Sequence, residues 1–378
     1  MENLVGRAMK ILIAGNMGYV GPVVVTHLRR RFPKATLIGF DTGFFAHCLS
    51  VPDRFPETVL TYQAFGDIRE FPTHLLEGVD VVVNLAAISN DPMGVRFEAV
   101  TEDINYRASV NLARLARDAG VSTFVFASSC SVYGAADGLP QKETGHLSPL
   151  TAYARSKIAT EEALRGADLG EMQIVSLRFA TACGMSPRLR LDLVLNDFVA
   201  CAISSGKISV LSDGSPWRPL IDVEDMARAV EWAITSGGEM PSRLFAVNVG
   251  SEAGNYRVKE LADAVARVVP GTRVSINSAA LADRRSYRID FSLFKSLAPE
   301  HQPQVTLERS IEHLRDGLAA IGFCDRNFRD SQFIRLKVLE RHLQTKCLSE
   351  SLRYFPSLGR QTAALTRDSR SGFKYDPS

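Results

Sequence analysis

Cysteine and histidine are scarce in this chain. Six cysteines stand singly at positions 48, 130, 183, 201, 324 and 347, and the seven histidines form no cluster. No C-x-x-C pair and no metal-ligand spacing occurs, so a zinc-ribbon or thioredoxin-like motif is excluded and no metal is expected. Buried, reduced thiols are the simplest reading. Excess charge of either sign is missing too. Forty-four Lys and Arg against 42 Asp and Glu leave +2, which gives no reason to expect nucleic acid or a membrane surface as partner. Short basic stretches such as 29–31 read as a solvated helix end. No run approaches the roughly 18 apolar residues of a membrane span. No charged segment, apolar stretch and small-residue cleavage site precede Met9, so a cytoplasmic location is expected, with 1–8 as a short lead. What is present is ordinary: 46% hydrophobic and 23% charged residues over 378 positions, enough for one large or two interlocked domains.

The pattern along the chain is an alternation. Residues 9–14 are a short apolar run ending at Gly15 and read as a buried strand. Residues 20–31 follow with helical spacing, 36–41 read as a second strand and 79–85 as a third. A long amphipathic helix over 98–119 is closed by Gly120, and 122–128, 152–164 and 173–178 read as strand, helix and strand. Such alternation implies a parallel sheet covered on both faces. After Gly184 the pattern loosens. A basic, polar loop at 187–192 precedes a helix near 195–204, a strand near 208–211, a helix at 223–235, a strand at 244–249 and a helix at 258–269. Helices near 307–321 and 331–344 follow, and 356–378 reads as a loose polar tail. The expected fold is α/β: a doubly wound parallel sheet over 9–183, with 216–250 returning to it. A smaller, interleaved α+β substrate lobe is expected from 184–215 and 251–345.

The first strand runs into Gly15-Asn16-Met17-Gly18-Tyr19-Val20-Gly21. The first glycine permits a tight turn, the second lets backbone N–H groups approach a pyrophosphate, and the third lets helix and sheet pack closely. The following helix points its positive end at the phosphates. Asp41 ends the second strand twenty residues past Gly21. A carboxylate there can accept from both ribose hydroxyls and would repel a 2′-phosphate, so NAD is expected over NADP. Further on, Tyr153 and Lys157 stand four apart on a helix and share one face. An ammonium beside a phenol favours the phenolate and tunes it toward proton transfer near neutral pH.

The G-x-x-G-x-x-G spacing, the Y-x-x-x-K pair and the segments between them resemble the extended short-chain dehydrogenase/reductases. The likeness is to the NAD-dependent epimerase/dehydratase family acting on nucleotide sugars, and it covers about residues 9–320. It implies a Rossmann-type sheet and a homodimer paired through the helices at 98–119 and 152–164. Asp67 and Ile68 of Gly66-Asp67-Ile68-Arg69 resemble the acidic-aliphatic pair that reads the adenine ring, although Asp67 alone could be a turn residue. Leu85, Ala86 and Ala87 resemble the sheet-end segment beside the cofactor. Asn105 falls at the family's helix asparagine, although alone it could be a surface amide. Matching Val132-Tyr133-Gly134 places Ser129 on the catalytic serine or threonine, binding the same substrate oxygen as Tyr153, with Ser128 and Ser131 as lesser candidates. Lys157 would also hold the nicotinamide ribose.

On the substrate side, the resemblance implies that Arg218 and Asn196 contact the diphosphate of a nucleotide sugar, with Arg285 in a late phosphate-binding segment. Arg218 could instead pair with Asp222 or Asp225 at the surface. Arg188 and Arg190 could add positive charge or lie in a solvated loop. Asn90 and Asp91 sit on a loop that faces substrate in this fold, or form a helix cap before Val95. Cys130 and Ser131 stand where the 4,6-dehydratase branch carries Asp-Glu, which disfavours dehydration. Cys130 reads as a packed thiol, and Thr181 stands where a 4-epimerase commonly has Asn. The resemblance implies an NAD-dependent nucleotide-sugar epimerase. The alternatives are a nucleotide-sugar ketoreductase or 4-dehydrogenase with net cofactor turnover, and a non-catalytic NAD-binding sensor.

Overall fold

In the computed structural model, residues 8–50, 54–135, 138–236, 242–277, 279–280 and 286–355 are described. Arg285 and the expected tail at 356–378 lie outside them. The strands are β1 (Lys10–Ala14), β2 (Thr36–Asp41), β3 (Tyr62–Phe65), β4 (Val81–Asn84), β5 (Thr123–Ser129) and β6 (Gln173–Phe179), then β7 (Thr181–Cys183), β8 (Lys207–Val210), β9 (Trp217–Asp222), β10 (Leu244–Val249), β11 (Asn255–Arg257) and β12 (Arg273–Ile276). Seven of them form one sheet in the order β10-β6-β5-β4-β1-β2-β3, parallel throughout. The order reverses between β1 and β4, which opens a crevice at their carboxyl ends.

Why β1 sits at the centre follows from its composition. Ile11, Leu12 and Ile13 are fully buried, as a strand covered on both faces requires. Successive side chains alternate between faces. Ile11 and Ile13 join one hydrophobic cluster, with Val24, Val25 and Leu28 of α1 (Gly21–Arg31); Leu12 and Ala14 join a second. That second face is covered by a long helical run: after α2 (Asp91–Arg96) come α3 (Glu98–Thr101), a π-helical segment (Glu102–Ala108) and α4 (Ser109–Asp118). Each buried Leu, Ile or Val contributes about 1.5–3 kcal/mol, so the two clusters fix the layering. The single helix expected over 98–119 is therefore interrupted. The π segment holds Asn105, fully buried, and π-bulges commonly mark functional sites.

Beside α4 lies α5 (Ala152–Gly166), capped by Thr151, whose hydroxyl accepts from Ala154 N at 3.2 Å. The rest of the chain adds α6 (Val194–Ser205), α7 (Val223–Thr235), α8 (Val258–Val268), α9 (Ser292–Leu297), α10 (Leu307–Ala320) and α11 (Arg335–Gln344). α7 and β10 return to the main sheet, but β9 does not. It pairs with β11 and β7 in a three-stranded sheet, while β12 and β8 form another. Four cysteines are buried, and Cys324 and Cys347 are exposed. Among the described residues no helix is long and apolar enough to cross a membrane.

Candidate active site

One cleft of about 1350 Å³ opens at the crevice, lined by both the sheet ends and the smaller elements. A single ligand site usually has 300–1,000 Å³, so this one has room for two ligands side by side.

The glycine turn forms its floor. Gly15 has φ +81°, and a Cβ there would stand 2.5 Å from Ala86 N; one at Gly21 would stand 2.2 Å from Asn16 O. Both positions are closed to any side chain. Gly18, Tyr19 and Val20 line the cleft, while Asn16 is fully buried and bonds Gln63 at 2.7 Å. No side chain caps the first turn of α1, and Pro22 lies in it, so that end is available to an anion. Asp41 lines the cleft and accepts from Met17 N at 3.0 Å and Gly43 N at 2.7 Å. Burial pushes its carboxyl up, while those two N–H groups and Arg188 pull it back. Each carboxylate oxygen retains a lone pair for a further donor. Asp67, Ile68, Leu85, Ala86 and Ala87 also line the cleft. Asp67 is paired with Arg69 at 2.5 Å and caps the turn at Ile68–Glu70, so the turn role is real.

Ser129 ends β5, and its Oγ accepts from Ser131 N at 3.1 Å. Ser129, Tyr153 and Lys157 line the cleft together, with the Ser129 hydroxyl placed to favour the Tyr153 phenolate. The other serines separate cleanly. Ser128 is buried against Glu161 at 2.5 Å; Ser131 lines the cleft, but its buried Oγ has no protein partner. Cys130 is fully buried with its thiol on Arg178 O at 3.0 Å, the packed thiol expected.

The expected lowering of the Tyr153 phenol by Lys157 is not what the geometry produces. Lys157 Nζ lies 5.6 Å from the centre of the Tyr153 ring and donates to Ala127 O at 2.7 Å. Burial therefore dominates both groups: Tyr153 is pushed up to about 12, opposed by Ser129 and Arg190, and Lys157 down to about 7, opposed by Glu161. Arg190 is a cation near the phenol that spacing did not reveal.

Asn105 is wholly committed: its Oδ1 accepts from Ile88 N at 2.8 Å, and its Nδ2 donates to Ile88 O and Ser156 Oγ, both at 3.0 Å. It ties the loop after β4 to the helix bearing Tyr153 and does not line the cleft. Asn196 is likewise buried, bonding Gly184 N, Tyr19 OH and Arg190 O, so its amide is spent on the protein. Asn90 caps α2 by accepting from Met93 N at 2.8 Å and donates to Asp192 at 2.6 Å, yet both Asn90 and Asp91 line the cleft. Arg218 lines it too, beside Thr181 and Tyr287. In the late segment where Arg285 is expected, Tyr287 is the side chain seen in the cleft.

The loop at 187–192 is not solvated. Arg188 is fully buried and paired with Glu57 at 2.5 Å; Arg190 is 5% exposed and paired with Asp192 at 2.8 Å. Beneath the site, Arg178 pairs with Glu161 at 2.6 Å, and Tyr133 bridges Arg178 and Asn248. A lone Arg in an apolar strand was the only sequence signal of that network.

A doubly wound sheet, a glycine turn under an uncapped helix and a Ser-Tyr-Lys group in one cleft define a dinucleotide-dependent enzyme class. The profile of the NAD dependent epimerase/dehydratase family matches residues 11–250, and the chain belongs to that family, whose enzymes are of oxidoreductase or isomerase type. It is 30% identical over 231 residues to the Bacillus subtilis (strain 168) protein described as an uncharacterized UDP-glucose epimerase, YtcB, covering 59% of this chain and 71% of that one. It is 26% identical over 242 residues to UDP-glucose 4-epimerase of Lactobacillus helveticus, covering 58% and 70%. In fold it resembles MoeE5 in complex with UDP-glucose and NAD, with a TM-score of 0.70 at 23% identity over 82% of this chain and 99% of that one. The Bacillus cereus UDP-glucuronic acid 4-epimerase in complex with UDP-glucuronic acid and NAD gives 0.69 at 20% identity over 83% and 100%.

Proposed function

We propose that this enzyme epimerises a nucleotide-diphosphate sugar, using NAD held in the cleft, by removing a hydride to give a keto-sugar and returning it to the other face. The observation that carries the reading is the convergence of Ser129, Tyr153 and Lys157 in one cleft with a glycine floor. The relatives named for UDP-glucose epimerisation support the substrate class.

The residues present suit the cofactor. The side-chain-free turn at Gly15 and Gly21 receives its diphosphate, Asp41 its adenosine ribose, and Asp67 and Ile68 border the adenine end. NAD, when bound, supplies the hydride acceptor and donor and, oxidised, a positive ring that favours the phenolate. Tyr153 takes the proton from the sugar hydroxyl and gives it back on return. Ser129 donates to the same oxygen and orients it, so both hydroxyls meet the charge that develops there. Lys157, bonded to Ala127 O, ties α5 to the end of the strand that bears Ser129 and faces the nicotinamide ribose, while Arg190 is the cation that favours the phenolate. Arg218, Thr181 and Tyr287 border the sugar and its diphosphate, since a fork of N–H donors suits phosphate oxygens. Asn90 and Asp91 border the sugar from the opposite loop. The helical stretches at 98–119 and 152–164 are read as the homodimer face, and a monomeric mass in solution would overturn that part.

The test is NMR on purified protein mixed with a panel of UDP-hexoses and no added cofactor. A new isomer at unchanged redox level supports the epimerase. Conversion only with stoichiometric NAD or NADH turnover would make it a dehydrogenase or ketoreductase instead.

A further inference from the structure

The last helix and the segment after it lie beyond the family-matched part of the chain, yet they reach the cleft. Arg335 opens α11, lines the cleft and is 1% exposed. Its guanidinium donates to Gln332 O at 3.2 Å and Arg188 O at 2.7 Å and lies 4.8 Å from the centre of the Phe45 ring. Among the described residues it has no carboxylate within ion-pair distance, because Arg188 takes Glu57 and Arg190 takes Asp192. Asp192, already paired with Arg190, is the acidic group that acts on it from a distance, and a buried cation facing a cleft without an ion pair of its own is costly unless a ligand supplies the anion. Burial lowers it only to about 10, so it is charged at neutral pH.

Its position indicates which anion. Phe45 follows β2, the strand ending in Asp41. Arg190, also in the cleft, donates to Ser89 at 2.8 Å, on the loop after β4. The sheet order β4-β1-β2 puts the glycine turn after β1 between those two loops. Arg335 therefore faces the stretch between the adenosine end and the Tyr153 end. Past α11 the chain continues over the adenosine end. His342 Nε2 lies 3.0 Å from Phe44 O, Arg69 donates to Ser351 O at 2.8 Å, and the Tyr354 ring packs 5.7 Å from that of Phe44. A second void of about 410 Å³ under Leu352, Arg353 and Tyr354 shares Thr42, Phe44, Gly66 and Asp67 with the main cleft.

We propose that residues 328–355 form part of the cofactor site: Arg335 binds the dinucleotide's diphosphate from the side opposite the glycine turn, and Leu352–Tyr354 roof its adenosine half. This rests on the reading of the cleft as a dinucleotide site and adds its consequence, a cofactor kept through turnover. An isomerase that returns its hydride has no need to exchange the cofactor.

The experiment is NADH fluorescence titration and release on the full chain stripped of nucleotide, with uridine diphosphate titrated in parallel. Arg335→Gln is expected to weaken NADH at least tenfold and Arg335→Lys less, with uridine diphosphate changed less than twofold. Tyr354→Ala is expected to speed NADH release at least fivefold; its ring is half exposed, so this variant decides if Arg335→Gln fails to fold. NADH affinity and release within twofold of wild type, or an equal loss for uridine diphosphate, would overturn the proposal. A wild-type chain that binds no NADH would overturn the parent reading and this one with it. Wild-type binding with unchanged variants overturns this one alone.

Discussion

Lys157 Nζ and the carbonyl oxygen of Ala127 meet at 2.7 Å, so the ammonium is carried past the Tyr153 ring to the end of β5. The lysine thus ties α5 to the sheet end that bears Ser129. It does so buried, 2% exposed, with its value lowered to about 7.

That burial has a sign. The unfolded lysine titrates near 10.4, so between about pH 7 and pH 10 the unfolded chain binds more protons than the folded one, and this group makes stability rise with pH. Lys157→Met removes the slope. The variant should be more stable than wild type at pH 7, by about 1–2 kcal/mol after loss of the bond to Ala127. The gap should close as pH approaches 10, while turnover is lost. Urea unfolding at pH 7 and 9.5 measures this, and parallel behaviour of the two proteins would contradict it.

The two hydroxyls should separate by magnitude. Tyr153→Phe removes the proton acceptor and should lower kcat by about 10²–10⁴-fold. Ser129→Ala removes one donor and should cost about 10²-fold. NADH binding should hold in both, measured by fluorescence, and wild-type turnover in the Tyr153 variant would sink the mechanism.

Asn105 should report on positioning. Asn105→Ala strands the Ile88 N–H and C=O groups and the Ser156 bond, costing about 2–4 kcal/mol by calorimetry. In the folded variant kcat should fall more than NADH affinity, because the amide acts on the helix and loop rather than on the ligand. Equal losses in both would assign it a ligand contact.

Glycine placement gives a paired comparison. Gly21→Ala drives a Cβ to 2.2 Å from a backbone oxygen and should cost about 2–3 kcal/mol and abolish NADH binding. Gly120→Ala has φ +79° and open space around it, so only the backbone term of about 1 kcal/mol applies, with binding intact.

Much of this architecture was legible because apolar periodicity reports burial directly. β2, α7 and β10 fall on the boundaries expected, and Gly15, Tyr153 and Lys157 line one cleft, although the spacing did not reveal that burial would outweigh Lys157 at the phenol. Three-residue strands such as β7 and β11 were not legible, since so short a segment carries no period. The buried arginines were hidden for a related reason. Arg188 and Arg190 read as a solvated loop because their carboxylates, Glu57 and Asp192, are joined to them only by the fold. Asn196 and Asn105 are amides of the right type whose donors and acceptors the surrounding backbone and the hydroxyls of Tyr19 and Ser156 had already taken.

The central claim, that one hydride leaves and returns within the cleft, is tested by converting a UDP-hexose in D₂O without added dinucleotide and reading the inverted carbon by NMR. The account predicts a product whose inverted carbon carries the original hydrogen and no deuterium. Deuterium at that carbon would show that a proton exchanged with solvent, and would contradict hydride return.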